Sequence, residues 1–178
     1  MQNEELIIKN IQKGIDVEKG FRTLVTLYKE RIYWHIRGIV KTHEDAADVM
    51  QNTFLKAYKN IGTFKSDSKF YTWMYRIATN ESLNHLQKQK KYKSEEAEHE
   101  VLSLEADTYF DGDEAQMILQ KALESLPDKQ RIVFNMKYFD DMSYNDISEV
   151  LGTSVGGLKA SFHHAKNKIE AFVKQQSL

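Results

Sequence analysis

Arg76, Asn80, Asn84, Gln87 and Lys91 recur at intervals of four, four, three and four residues, so a helix would carry all five along one outward stripe. Amide side chains can bond base edges, and arginine or lysine can neutralise phosphates. Phe64 and Lys65 precede this stretch, Tyr71 and Trp73 sit at its start, and Lys88 lies beside its far end. Cations interleaved with aromatics suit single-stranded nucleic acid, because an unstacked base offers a flat face to stack against. The same aromatics would also serve a helical core. Phe70 and Trp73 fit the core role better, while Phe64 and Tyr71 fit either.

Two further constellations stand out. Glu44, Asp45, Asp48, Gln51 and Asn52 form an acidic and amide surface that would repel phosphate and suits a protein partner, although a plain solvated face would look the same. Near the C-terminus, Ser143 precedes a short apolar run ended by Gly152, and a second run follows from Thr153 or Ser154. Ser143 with Asp146 has the spacing of a capping box, and Gly152 suits a left-handed helix cap. The second run holds Val155, Leu158, Phe162, Ala165, Ile169 and Phe172 at steps of three and four and turns Lys159 and Lys166 outward. Two helices joined by a short glycine turn, the second presenting lysines, have the pattern of a helix-turn-helix. An ordinary helical hairpin shares that pattern.

Catalysis finds little support. The histidines His35, His43, His85, His99, His163 and His164 fall in no metal-ligand spacing, and no phosphate-binding glycine loop is present. His163 and His164 are adjacent, so on a helix they point to different sides. The chain has no cysteine, which excludes a disulfide framework, a thiolate metal site and a cysteine nucleophile. No catalytic residue, metal or cofactor is expected.

The elements that must position these groups read as helices throughout. There is one proline, Pro127, and no Val/Ile/Thr-rich alternation bounded by turn residues, so the expected fold class is all-α. Phe21, Val25, Tyr28, Ile32, Ile36 and Ile39 predict one buried stripe. A helix over about 44–58 is expected to turn Ala47, Met50, Phe54 and Ala57 inward. Residues 61–68 read as a loop, followed by a helix over about 69–91 that buries Phe70, Met74 and Ile77. These helices make an N-terminal bundle, residues 1–93. Residues 94–113 read as an acidic flexible linker, and residues 114–178 pack four helical segments, the first closed by Pro127.

A formal net charge of -1 looks wrong for a nucleic-acid binder, but the charge is segregated. Between Ser82 and Ser94 the charged residues are Lys88, Lys90, Lys91 and Lys93, whereas Glu95 to Glu114 holds acids and no Lys or Arg. Such asymmetry says more about partners than the total does. No apolar stretch reaches the length of a membrane span and the start is too polar for a signal peptide, so a cytoplasmic location without membrane insertion is expected.

In linear order these stretches resemble the extracytoplasmic-function sigma factors, the compact branch of the sigma-seventy family. Residues 43–58 are similar to the family's A-E-D-x-x-Q-x-T-F-x-x-x-Y helix, and Phe70 to Asn80 to its F-x-T-W-L-x-x-I-A-x-N helix. Leu126 to Arg131 resembles L-P-x-x-x-R, and Ser143 to Gly152 resembles S-Y-x-E-I-A-x-x-L-G. The resemblance implies that residues 1–93 are region two, with Asp45, Asp48, Gln51 and Asn52 docking on the polymerase clamp. It implies that Phe64, Lys65, Tyr71, Arg76, Asn80, Asn84, Gln87, Lys88 and Lys91 hold the single-stranded minus-ten element. It places Ser154, Gly157, Lys159, Ser161, His163, His164 and Lys166 of region four on the duplex minus-thirty-five element. The acidic linker would thread through the polymerase.

Departures bear on promoter sequence. The family usually has an acid where Asn84 stands and often an arginine where Gln87 stands. Its G-T-V-K-S-R reads Gly156, Gly157, Leu158, Lys159, Ala160 and Ser161 here, which removes an arginine at Ser161. The implied partners are core RNA polymerase and promoter DNA, and whether an anti-sigma factor also binds stays open. The rival is a free-standing helix-turn-helix regulator, which explains the C-terminal half but leaves the aromatic and amide helix without a role. A second rival is a protein-binding adaptor that occupies polymerase without initiating.

Overall fold

A computed structural model describes residues 2–40, 42–95 and 114–176. Among them are eight α-helices, one 3-10 turn and no strand. The chain divides into two compact units, residues 1–85 and 86–178. Residues 96–113, most of the expected acidic linker, lie outside the described residues; its first two, Ser94 and Glu95, belong to the end of a helix.

The first unit opens with a helix the sequence did not disclose, α1 (Gln2–Gln12). Among its described side chains only Ile8 and Ile11 are buried, too few to mark a stripe in a polar segment. It is fixed by tertiary contacts. A Cβ at Gly20 would sit 2.9 Å from Ile11 Cγ1, so glycine there lets α1 lie close on α2 (Val17–Val40). Gln12 Nε2 donates to the carbonyls of Ile61 and Phe64 at 3.3 and 2.7 Å, tying α1 to a distant turn.

Tyr28 Oη donates to Glu4 Oε2 at 2.7 Å. Burial, and then that hydrogen bond, push the phenol well above its ordinary value. The fold favours the protonated phenol, so its contribution is complete at neutral pH and is lost as pH climbs above 10.0, the unperturbed value. Tm should therefore fall more steeply above that pH for the wild type than for Tyr28→Phe; parallel curves would count against this role.

The α2 stripe runs as its spacing predicts, with Leu24 joining Tyr28, Ile32, Ile36 and Ile39 in the core and Phe21 and Val25 half-buried. In α3 (His43–Asn60) the register differs from expectation. The buried face is Ala46, Val49, Thr53 and Ala57; Ala47 is exposed, and Met50 and Phe54 are half-buried. Small residues let α3 approach α2, and the Thr53 hydroxyl satisfies itself by donating to Val49 O at 2.7 Å. Thr42 caps the helix by accepting from Asp45 N at 3.1 Å. A 3-10 turn (Ile61–Thr63) then leads to α4 (Phe70–Glu95).

The second unit holds α5 (Glu114–Glu124), α6 (Asp128–Tyr138), α7 (Tyr144–Leu151) and α8 (Val155–Gln176). Pro127 separates the first pair, as its missing N–H requires. Ala122, Leu126, Phe134, Ala165 and Ile169 form a core that Leu119, Leu123, Phe162 and Phe172 close. Arg131, 3% exposed, reaches Asp128 at 2.9 Å. Both ends of α7 follow the local chemistry: Ser143 Oγ accepts from Asp146 N at 3.1 Å and donates to Asp146 Oδ2 at 2.6 Å. Gly152 takes φ 63° and its N–H bonds Ser148 O at 2.8 Å, a left-handed cap that a Cβ would strain by about 1 kcal/mol.

Candidate nucleic-acid interface

The α4 helix has two unlike faces. Arg76, Asn80, Asn84, Gln87, Lys88 and Lys91 are all exposed along it, as the spacing predicts. Its inner face is partly polar, with Thr72, Tyr75, Thr79 and Ser82 buried beside Phe70, Met74 and Ala78. Thr79 Oγ1 donates to Tyr75 O at 2.7 Å and Ser82 Oγ to Ala78 O at 2.8 Å, so the helix satisfies its own hydroxyls. His35 of α2 lies against this face, its Nε2 2.9 Å from Thr79 Oγ1 and its ring 4.6 Å from that of Tyr75. The one hydrogen of the Thr79 hydroxyl goes to Tyr75, so His35 Nε2 is the donor. A composition-based reading could not assign His35 or these hydroxyls to the core.

The aromatic residues divide between core and surface. Phe64, 8% exposed, packs edge-on against Phe70 at 5.4 Å and beside Trp73 at 5.4 Å, and Tyr28 closes the cluster against Phe70 at 5.6 Å. Phe64 is therefore a wall of the bundle, the core role of the two that its sequence position left open. Lys65 is exposed beside it, and Ser66 takes a left-handed φ of 58° in the loop before α4. Tyr71 and Trp73 are half-buried. The Tyr71 ring lies 6.0 Å from Arg31 Cζ and 5.5 Å from Lys69 Nζ, so it sits in a basic setting. Arg31 comes from α2, and no local sequence signal could have joined it to Tyr71.

On α3, Asp48, Gln51 and Asn52 are exposed on one face together with Leu55, which is 51% exposed. Leu55 extends the stripe at the i+7 position from Asp48, and an exposed leucine among acid and amide groups suits a protein partner. Asp45 behaves differently. Its carboxylate, 20% exposed, accepts from His85 Nε2 at 2.7 Å and from Thr42 Oγ1 at 2.7 Å, so it ties α3 to α4 and is less available for docking than the sequence implied.

In α8 the core takes Leu158, Ala165 and Ile169. Gly157, Lys159, His163, His164 and Lys166 are exposed and Ser161 is half-buried. Ser154 Oγ accepts from Gly157 N at 3.3 Å and so helps cap the helix. Lys166 approaches Glu170 Oε1 at 3.7 Å, which offsets part of its charge. The outward row also includes Gly156, Ala160 and Asn167, which sequence reasoning passed over because none is charged. Asn167 Nδ2 lies 3.1 Å from His163 Nε2. A Cβ at Gly156 would meet nothing within 4 Å, so packing does not require glycine there and the face is open to close approach.

A bundle with an exposed amide and basic helix, followed by a separate helix-turn-helix unit, defines a two-part promoter-binding protein. Residues 24–92 match the Sigma-70 region 2 family and residues 116–169 match Sigma-70, region 4. The chain is 33% identical to the ECF RNA polymerase sigma factor SigW of Bacillus subtilis (strain 168) over 180 residues, covering 94% of each. It is 27% identical to the ECF RNA polymerase sigma-E factor of Escherichia coli (strain K12) over 191 residues, covering 97% of each. The fold matches that of the sigma factor RpoE from Bartonella quintana, solved in complex with the anti-sigma factor NepR, with a TM-score of 0.73 at 23% identity over 88% of this chain and 98% of that one.

The chain belongs to the extracytoplasmic-function branch of the sigma-70 family. It is a sigma factor that directs transcription initiation with core RNA polymerase on promoter DNA, and the free-standing regulator is not favoured. Sigma factors are DNA-binding initiation factors without enzymatic activity of their own. Among the described residues no helix is long and apolar enough to cross a membrane.

Proposed function

We propose that the two halves divide the promoter between them. Residues 1–93 dock on polymerase through Asp48, Gln51, Asn52 and Leu55 of α3 and hold the non-template strand of the minus-ten element along α4. Residues 114–178 set α8 in the major groove of the minus-thirty-five element, and residues 94–113 connect the two. The exposed row of Arg76, Asn80, Asn84, Gln87 and Lys91 carries this reading, because it offers base-edge donors and acceptors with cations at both ends. Holding an extruded base costs a few kcal/mol, which such contacts together with the half-exposed Tyr71 can offset. The chain performs no catalysis itself and acts in the cytoplasm, where polymerase and chromosome are. An anti-sigma protein that covers these faces is a further expectation, supported by the complex in which RpoE of Bartonella quintana was solved.

The test adds the purified chain to core RNA polymerase with fragmented DNA of its host and maps the transcripts. New start sites that share a two-part upstream motif are the expected result. Polymerase binding without initiation would favour the adaptor, and duplex binding without polymerase binding would overturn the division of labour.

A further inference from the structure

We propose that Gln12 is a positioning residue for minus-ten recognition: from the end of α1 it fixes the loop over 64–69 at the start of α4. The inference rests on the proposed holding of the unpaired strand along α4. Gln12 Nε2 donates to the carbonyls of Ile61 and Phe64 at 3.3 and 2.7 Å, across 49 and 52 residues of sequence. Both partners can only accept, so the amide nitrogen and not its oxygen must face them, and its two hydrogens serve one carbonyl each. Ile61 opens the 3-10 turn and Phe64 caps it, so one side chain spans the whole turn.

Beyond Phe64 the chain has little else to hold it. Residues 65–68 make no backbone–backbone hydrogen bond among the described residues, and Lys65, Ser66 and Asp67 are exposed. Their course is therefore set from the two ends of the loop. At the far end Lys69 Nζ lies 5.5 Å from the Tyr71 ring, at the first turn of α4. At the near end the Phe64 ring packs on Phe70 and Trp73, and its carbonyl is held by Gln12. The α1 helix is itself firmly seated, with Ile8 and Ile11 buried, the close approach at Gly20 and the bond from Tyr28 to Glu4. A strut thus runs from the bundle core through α1 to the residue before Lys65. Holding a loop in its bound course removes part of the ordering cost that binding would otherwise meet. A lysine and hydroxyl group already set in place can then meet phosphates of the unpaired strand while α4 reads its bases.

The experiment loads the full chain on core polymerase and measures affinity for a labelled single strand with the non-template minus-ten sequence of a mapped start site. A scrambled strand of the same composition is measured beside it. Gln12→Met keeps the length and apolar stem but removes the donors, and because Gln12 is exposed the replacement opens no cavity. It should weaken binding of the matched strand about five- to tenfold, the equivalent of roughly one intramolecular hydrogen bond. Affinity for the scrambled strand and for core polymerase should stay as in the wild type, and amide exchange should quicken over 61–69 but not over α3. Tyr28→Phe releases the other end of α1 and is the control for a merely structural role: it should lower Tm and keep the wild-type preference for the matched strand. Wild-type affinity for the matched strand in Gln12→Met would overturn the proposal, as would unchanged exchange over 61–69. Equal weakening of both strands, or the same loss of preference in Tyr28→Phe, would overturn it too. A wild type that fails to prefer the matched strand would instead sink the strand-holding reading, and the positioning role with it.

Discussion

Asp48→Arg is expected to abolish transcription from every promoter this sigma factor serves while leaving the fold intact. Asp48 is exposed on α3 and shares its face with Gln51, Asn52 and Leu55. An exposed charge contributes little to the stability of its own chain, so Tm should change by no more than that of a neutral surface substitution. At an interface the same charge is desolvated against a cation, and reversing it costs about 2–5 kcal/mol, or roughly 30-fold or more in affinity. Titrating labelled protein with core polymerase measures the loss directly, and Leu55→Ala should weaken the same complex by about 1–2 kcal/mol. Undiminished binding by Asp48→Arg would remove α3 as the docking face. Asp45→Ala provides the contrast: with its contacts to His85 and Thr42 lost, it should lower Tm, and any loss of polymerase binding there would reflect a disturbed bundle.

The second large effect is expected on α4. Replacing both Asn80 and Asn84 by alanine removes two exposed amides that stand one turn apart on the outer row. Each good base contact contributes about 1–3 kcal/mol of discrimination, so the pair should lower open-complex formation by about two orders of magnitude. Polymerase binding should be unchanged, because the docking residues lie on α3. A template already unpaired over the minus-ten element separates the causes. If the amides hold the single strand, the loss persists on that template, and it vanishes on one whose minus-ten bases are removed. Full recovery on the unpaired template would assign Asn80 and Asn84 to strand opening, and normal activity on both would take them out of the site.

Much of this was legible from local chemistry. The Ser143 and Asp146 cap, the Gly152 stop, the break at Pro127 and the α8 stripe each depend on residues within one or two turns, so spacing alone defines them. The outer row of α4 was legible for the same reason, because a continuous helix fixes where every fourth side chain points. The inner face of α3 was read one residue out of register. Ala57 faces inward as expected, but large apolar groups drew the rest of the stripe toward Ala47, Met50 and Phe54, while packing selected Ala46, Val49 and Thr53, which allow closer approach to α2.

What the sequence by itself determined is the set of helices after the first, the caps of α7 and the family pattern, because these follow from short-range sterics, hydrogen bonding and periodicity. Only the tertiary structure decided which polar and aromatic residues are shared between helices. It buried Phe64 among Phe70 and Trp73, set His35 against Thr79 and turned Asp45 toward His85. It also brought Arg31 to Tyr71, and Lys137 and Lys159 to Tyr144. Each of these contacts joins residues from different elements. A side chain that can serve either core or surface is assigned by its neighbours in space, and those neighbours are fixed only when the helices pack.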